Sequence, residues 1–234
     1  EFRCDARMTP GRLEDVLVAR GIQGVLIPPQ PIQPDWGRFD WSRFSVVRLG
    51  RSPTVPAAHV VTTDQVHNTL TAFEAMRARG YQRIGFVGID APSDYRWLFD
   101  AGFLRAQMTM APKGRLPIIG LDPLNPHASQ RELMRWLKKE KPDAVLTPIS
   151  VELPDMLAKC GCRVPEDIGL ATVGDLNGKI DAGIFQNPQE IGRVAMLMLA
   201  SLITDNDRGV PTILREVLIR GQWTDGTTLP RRNG

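Results

Sequence analysis

The chain has 234 residues, of which 42% are hydrophobic and 24% are charged, and 29 basic residues against 26 acidic ones give a formal net charge of +3. This length can bury a large core in one big domain or two small ones, and the nearly balanced charge does not favour a nucleic-acid-binding surface on these residues. Because neither an apolar run long enough for a membrane helix nor a signal-peptide pattern occurs, we expect a cytoplasmic protein.

Strands and helices alternate in the first part of the chain. The predicted strands are residues 2–6, 25–27, 45–49 and 59–62. The first helix begins at Thr9 and Pro10 and ends at Gly21, since proline suits the first helical position and glycine suits the end. Residues 28–43 are rich in proline and aromatic residues. These aromatic rings either stack on a ligand or pack beneath the loop, and we favour packing.

The stretch 58–90 contains the clearest strand-helix-strand unit. Asp64 is suited to cap a helix that ends at Gly80, and residues 83–88 form a short apolar strand. The apolar residues of this helix recur at spacings of three and four: Val66, Leu70, Phe73 and Met76. Strand, helix and strand in succession predict a parallel α/β sheet.

The same alternation continues toward the C-terminus. Further strands are predicted at 116–121, 143–146 and 168–173, with helices starting near Trp97, spanning 129–139 and ending at Lys159. After Ala182 a short extended piece, 184–186, precedes a helix over 189–203, and residues 216–221 form a last strand. That helix is apolar over more than half its circumference, so we expect it in a core or a subunit contact. We expect the tail beyond Thr224 to be loose.

The three cysteines, Cys4, Cys160 and Cys162, are odd in number and lack the spacing of a disulfide framework. This usage is typical of a reducing compartment. No histidine cluster accompanies the Cys160 and Cys162 pair. We therefore expect no metal site and no cofactor.

Several segments together resemble the effector-binding domain of lac-repressor and gal-repressor type (LacI/GalR) transcription regulators. Their order and spacing across nearly the whole chain make the resemblance specific. The segments that carry the resemblance are residues 19–27, 58–90 with its end 80–88, Gly102 with Phe103, 141–145, 163–168, Gly192 with Ala195, and 219–221. The resemblance implies an α/β fold of the periplasmic-binding-protein-like type I: two doubly wound lobes joined by three crossovers, with a ligand cleft between them.

The resemblance also implies that each lobe is discontinuous in sequence. The N-terminal lobe would combine residues 1–62 with 187–215, and its first strand-helix unit would be missing. The C-terminal lobe would combine residues 63–183 with 216–234. The crossovers would fall near 61–63, 184–186 and 215–218. A helix-turn-helix DNA-binding module is expected upstream of Glu1, as is the missing unit.

Strand ends and helix starts converge on such a cleft, where polar side chains can reach a ligand. The candidate ligand-binding residues are Asp64, Asp94, Tyr95, Arg96, Asp122, Ser150 and Asp175. They offer the donors and acceptors that a sugar needs, and none is assigned a catalytic or metal-binding role. Helix capping and turn formation are alternative roles for Asp64 and Asp175, and we weigh them about equally with ligand contact.

Three positions depart from the family pattern. Phe99 stands where an arginine often reaches the ligand, Ser150 stands where an acidic or amide residue is expected, and Gly174 replaces the first Asp of an Asp-Asp pair of which Asp175 is the second. Because buried polar groups without partners cost about 1–3 kcal/mol each, fewer polar side chains indicate a different or less polar effector.

The resemblance implies that the chain senses a small effector, which we expect to be a carbohydrate. It also implies a homodimeric transcription regulator that binds operator DNA through its upstream module. The first alternative is a solute-binding protein of a transport system, which shares the two-lobe cleft. An α/β enzyme is less favoured, since residues 85–88 lack the third glycine of a phosphate loop and no nucleophile turn occurs.

Overall fold

A computed structural model of the protein describes residues 9–29, 35–52, 54–90, 97–111, 114–176 and 178–232. The chain divides into two compact units: unit 1 comprises Glu1–Thr63 and Pro188–Ile219, and unit 2 comprises Asp64–Asn187 and Arg220–Gly234. The strand predicted at 2–6 lies outside the described residues. No helix within the described ranges is long and apolar enough to cross a membrane.

Helices and strands alternate through most of the described chain. In chain order the elements are α1 (Pro10–Ala19), β1 (Gly24–Ile27), β2 (Ser45–Leu49), β3 (His59–Thr63), α2 (Gln65–Ala78), β4 (Ile84–Ile89), α3 (Trp97–Met110), β5 (Ile119–Leu121), α4 (Pro126–Glu140), β6 (Ala144–Thr147), α5 (Leu153–Lys159), β7 (Gly169–Thr172), β8 (Gly183–Phe185), α6 (Pro188–Thr204), β9 (Glu216–Ile219) and β10 (Gln222–Thr224).

Unit 1 is built on a parallel sheet with the strand order β1-β2-β3-β9. Successive residues of β2 point to opposite faces, so Val46 packs in the cluster that contains α1 residues, whereas Val47 packs with α6 residues. Both faces of the sheet are therefore covered. Residues 216–219 had been assigned to the second lobe from sequence, but as β9 they pair with β3 and lie in unit 1.

The aromatic residues of the loop before β2 pack on one another. Trp36, Phe39, Trp41 and Phe44 have ring centroids 4.3 to 5.7 Å apart, and Phe39 and Phe44 are buried beside α1. The packing interpretation of these aromatic residues is confirmed, since each described ring finds its partners within unit 1.

Unit 2 is built on a six-stranded sheet with the order β10-β8-β7-β6-β4-β5, in which only β10 runs antiparallel to its neighbour. Phe86 of β4 packs in the core beside α2 and α3, while the next residue, Val87, packs in the core beside α4 and α5. Helices thus cover both faces of this sheet, as is usual for parallel sheets.

The prediction of a loose tail is wrong for the residues up to 232. Residues 222–224 form β10, which pairs with β8, and Leu229 is only 1% exposed. The carboxylate of Asp181 accepts four hydrogen bonds of 2.8–2.9 Å from the backbone N–H and hydroxyl groups of Thr227 and Thr228. Buried apolar surface and satisfied hydrogen bonds hold this segment on unit 2.

The first residues of α4 and β5 show the largest differences from the predicted boundaries. Helix α4 begins at Pro126 rather than at 129, because proline occupies its first turn. Strand β5 begins at Ile119 rather than at 116. In α6 the buried face holds Ala195, Leu199 and Leu202, whereas Met196 and Leu197 are 55% and 58% exposed.

Cys160 and Cys162 are free thiols, and burial raises the pKa of each. Across the described ranges, no group of three or more His, Cys, Asp or Glu side chains is placed to hold a metal ion. Cys4 lies outside those ranges.

Candidate ligand-binding site

The strand order of unit 2 reverses between β4 and β6. From β4 the chain moves through α3 to β5 on one side, then returns through α4 to β6 on the other side of β4. Consequently α3 and α4 cover opposite faces, and the helices that follow β4 and β6, α3 and α5, lie on opposite faces of the sheet. In open α/β sheets this crevice is where ligands bind.

Two buried threonines join the strands beside this crevice. The Thr147 hydroxyl at the end of β6 donates to the carbonyl of Val87 in β4 at 2.8 Å and accepts from the backbone N–H of Ile149 at 2.9 Å. The Thr172 hydroxyl at the end of β7 donates to the carbonyl of Thr147 at 2.9 Å and accepts from the N–H of Gly174 at 2.9 Å. These bonds fix the loops that begin after β6 and β7.

Ser150 and Asp175 follow the neighbouring strands β6 and β7, so both lie at the carboxyl-end edge of the sheet. Ser150 is buried and Asp175 is exposed. Between them, Gly174 approaches the carbonyl oxygen of Pro148 so closely that a Cβ at position 174 would lie 2.5 Å from it. The departure at Gly174 therefore has a steric reason in this chain.

Asp64 and Asp122 already have local partners. The Asp64 carboxylate accepts from the backbone N–H of His67 at 3.0 Å and caps α2. The Asp122 carboxylate accepts from the N–H of Leu124 at 2.8 Å, as expected in a turn after β5. Asp122 lies at the carboxyl-end edge because it follows β5, which is parallel to β4. Asp64 lies at the same edge because it precedes α2, which leads back to the start of β4. Each retains lone pairs that a ligand can use.

Asp94, Tyr95 and Arg96 lie outside the described residues. Phe99, which stands where the family pattern has arginine, is 8% exposed and belongs to the core with Phe86 and Phe103. Its aromatic ring thus serves packing in this chain.

Asp100 was not among the sequence candidates, although the structure places it beside the crevice. It lies in the first turn of α3, and its Oδ1 is 3.4 Å from the position that a Cβ on Gly88 would occupy, near the end of β4. Burial raises the pKa of this carboxyl above its ordinary value of 3.8. A sequence signal existed, because Asp100 is the only charged residue among the first eight of α3.

One cavity within unit 2, of about 500 Å³, lies along α5. It is lined by residues of α5 from its first turn onward, by the loop before β7, and by Lys179 and Thr228. Its charged side chains are already paired, since Lys179 contacts Asp155 and Arg163 contacts Asp167 at 2.8 Å each. We therefore place the candidate site at the carboxyl-end crevice, where the topology positions ligands.

Comparison with protein families matches residues 73–224 to the periplasmic binding protein-like domain. The chain belongs to this family. The match begins within α2 and ends with β10, so it includes every strand of unit 2 together with β9 of unit 1. The predicted fold class, an α/β periplasmic-binding-protein-like fold, is confirmed. A comparison with curated protein sequences finds no match.

Solved structures share this periplasmic binding protein-like fold over nearly the whole chain. A LacI transcriptional regulator from a Rhodococcus species is 18% identical, with a TM-score of 0.70 over 94% of this chain and 83% of that one. A LacI family regulator from Enterococcus faecium with bound ribose is 16% identical, with a TM-score of 0.68 over 99% and 87%. The transcriptional regulator CelR in complex with cellobiose is 18% identical, with a TM-score of 0.66 over 94% and 69%.

Proposed function

We propose that this chain is the ligand-sensing domain of a cytoplasmic, homodimeric transcription regulator of the LacI/GalR type. It binds a small polyhydroxylated effector at the crevice beside β4 and β6, carries out no catalytic step, and changes the affinity of an attached module for operator DNA. The effector class is a sugar.

The observation that carries the proposal is the kind of protein that shares this fold over nearly the whole chain. All three structures described above are transcription regulators, and two of them hold a sugar. The polar side chains at the crevice are also suited to bind a sugar. Ser150 and Asp175 follow adjacent strands, and sugar hydroxyls require donors and acceptors in close succession.

A thermal-shift screen of sugars, nucleosides and amino acids tests the effector class. A ligand present at a hundredfold over its Kd stabilises the folded state by about 2.7 kcal/mol, which gives a measurable rise in Tm. We expect at least one sugar to raise Tm and the other two classes to leave it unchanged. If only amino acids or only nucleosides raised Tm, the effector would belong to that class and not to the sugars.

The regulatory part needs a separate experiment on the natural polypeptide. We expect it to sediment as a dimer and to retard DNA taken from upstream of its own operon, with the retardation changed by the sugar that raises Tm. A monomer that binds a sugar but no DNA would instead support the solute-binding alternative.

A further inference from the structure

We propose that Asp100 is a ligand-contacting carboxylate, which accepts hydrogen bonds from two hydroxyl groups of the effector at the crevice beside β4. This inference rests on the proposed function, and it assigns a residue to that site which the family resemblance does not supply.

The position of Asp100 follows from the topology of unit 2. Because α3 leaves the carboxyl end of β4, its first turn lies at the crevice edge of the sheet. Asp100 occupies this turn, and its Oδ1 lies 3.4 Å from the position that a Cβ on Gly88 would occupy. The Thr147 to Val87 hydrogen bond joins β4 and β6 one residue before that glycine. Thus the carboxylate lies beside the point where strand order reverses.

Asp100 has no protein partner in the part of the chain that the structure describes. Within the described ranges no hydrogen bond or ion pair involves its carboxylate, and burial is the cause of the raised pKa. Other carboxylates of unit 2 are satisfied: Asp143 accepts from the N–H groups of Gln82 and Arg83, and Asp181 accepts four hydrogen bonds. A partly buried charge without a partner is costly unless something else satisfies it.

The described residues beside Asp100 give its carboxylate no hydrogen-bond donor. Position 88 is glycine, and a Cβ there would lie 3.3 Å from the Phe86 ring and 3.4 Å from Oδ1 of Asp100. Phe99, the preceding residue, turns into the core. Gly88 and the Phe86 ring offer the carboxylate no side-chain donor, so its lone pairs remain available to a ligand. An ionised carboxylate can accept two or more hydroxyl hydrogens at once, which matches adjacent hydroxyls of a sugar ring.

One structural role competes with ligand contact. A carboxylate in the first turn of a helix interacts favourably with the helix dipole, and α3 has Asp100 as its acidic first-turn residue. The two roles predict opposite effects of neutralising the side chain. Loss of a dipole interaction lowers Tm and leaves ligand affinity unchanged, whereas loss of a ligand contact lowers affinity and leaves Tm unchanged or higher.

The test uses the Asp100→Asn variant, which keeps the shape of the side chain and removes its charge. Calorimetric titration with D-ribose, cellobiose, D-glucose and D-xylose gives the affinity of each protein for each sugar. We expect affinity for the sugar that binds the wild type best to fall about 10- to 100-fold, as for a lost hydrogen bond to a charged group. Glu132→Gln, on the exposed side of α4, is the matched control, with unchanged affinity.

Single-deoxy analogues of the bound sugar sharpen the test. The analogue that lacks the contacted hydroxyl should bind the wild type more weakly than the parent sugar, while Asp100→Asn should distinguish the two sugars much less. Asp100→Ser provides a second variant, smaller than asparagine, with the same expected loss of affinity.

The outcomes separate the inference from the function on which it rests. If the wild type binds one of the four sugars and Asp100→Asn binds it equally well, the role of Asp100 is overturned while the sensing function stands. A lower Tm with unchanged affinity assigns Asp100 to helix stabilisation and likewise overturns the inference. If the wild type binds none of the four sugars, the inference is overturned, and the proposed function is then decided by the thermal-shift screen of sugars, nucleosides and amino acids.

Discussion

The hydroxyl of Tyr81 donates a hydrogen bond to the backbone carbonyl of Pro230 across 3.0 Å. Tyr81, which is 1% exposed, lies between α2 and β4, whereas Pro230 lies in the C-terminal segment. The guanidinium of Arg232 lies over the same ring, 4.6 Å from its centroid. The Tyr81 side chain thus contacts two residues of the C-terminal segment and helps to hold this segment on unit 2.

Replacement of Tyr81 by phenylalanine removes this hydrogen bond but keeps the buried ring. We expect the free energy of unfolding to fall by about 1 kcal/mol, the usual net value of one intramolecular hydrogen bond. Urea denaturation followed by circular dichroism measures the change. An unchanged midpoint would mean that the C-terminal segment detaches before the rest of unit 2 unfolds.

Leu229 provides the apolar part of the same attachment. It is 1% exposed, whereas Leu124, in the turn after β5, is 92% exposed. We expect Leu229→Ala to lower the free energy of unfolding by about 2–5 kcal/mol and the control Leu124→Ala to change it by no more than about 0.5 kcal/mol. Equal effects of the two substitutions in urea titrations would contradict the packing of this segment.

The carboxylate of Asp181 makes stability depend on acid pH. Burial acts to raise the pKa of Asp181, but hydrogen bonds from Thr228 and Thr227 outweigh burial and hold the pKa well below its ordinary value of 3.8. The unfolded chain therefore takes up a proton first as pH falls. The stabilisation is present above pH 3.8 and is lost progressively below it.

Asp181→Asn tests this contribution. We expect the variant to be less stable than the wild type by about 1.5–3 kcal/mol at pH 7, as for hydrogen bonds to a charged group. The difference should shrink when the denaturation series is continued below pH 3.8. A difference that stays constant with pH would assign the loss to shape rather than to charge.

His59 makes stability fall in the range just below neutral pH. Both ring nitrogens face donors: the backbone N–H of Arg215 lies 3.1 Å from Nδ1, and Nη2 of the same residue lies 2.9 Å from Nε2. Burial lowers the pKa of His59, and the neighbouring guanidinium lowers it further from 6.5. The folded protein therefore favours the neutral ring.

Because the unfolded chain binds the proton first, stability is complete above pH 6.5 and falls as pH drops below this value. Each unit of pKa difference corresponds to about 1.4 kcal/mol. Thermal denaturation between pH 7.5 and pH 5 should show a smaller decline for His59→Asn than for the wild type. His127→Asn, which replaces an exposed histidine of α4, is the control and should follow the wild type.

Thr147 connects stability to the proposed site. Its buried hydroxyl makes two hydrogen bonds, one to β4 and one from the loop after β6. We expect Thr147→Val to cost about 1–3 kcal/mol, because a buried carbonyl and a backbone N–H lose their partner. On the proposed function, effector affinity falls as well. Thr109→Val, on the exposed part of α3, is the control for both measurements, and equal behaviour of the two variants would contradict the prediction.

Much of the fold could be predicted because its signals are local. The stripe of Val66, Leu70, Phe73 and Met76, bounded by Asp64 and Gly80, reflects the helical period, a cap and a terminating glycine, none of which depends on distant residues. Short apolar strands between such helices indicate a parallel sheet for the same reason. The resemblance added the periplasmic-binding-protein-like fold, and the family match confirmed that fold.

The site was less predictable because its residues acquire their roles through distant contacts. Asp122 and Asp64 were chosen from their positions after a strand and before a helix, and both also serve the backbone there. The role proposed for Asp100 was not predicted, since its burial beside Gly88 depends on how α3 packs against β4.

The sequence alone determined the alternation of helices and strands and their approximate bounds, because periodicity, caps and glycines act within a few residues. Only the tertiary structure decided that β9 pairs with β3, that β10 runs antiparallel to β8 and that Leu229 is buried. Strand partners and the burial of a tail depend on surfaces formed by segments far apart in the chain, and no local pattern encodes which surface a segment will meet.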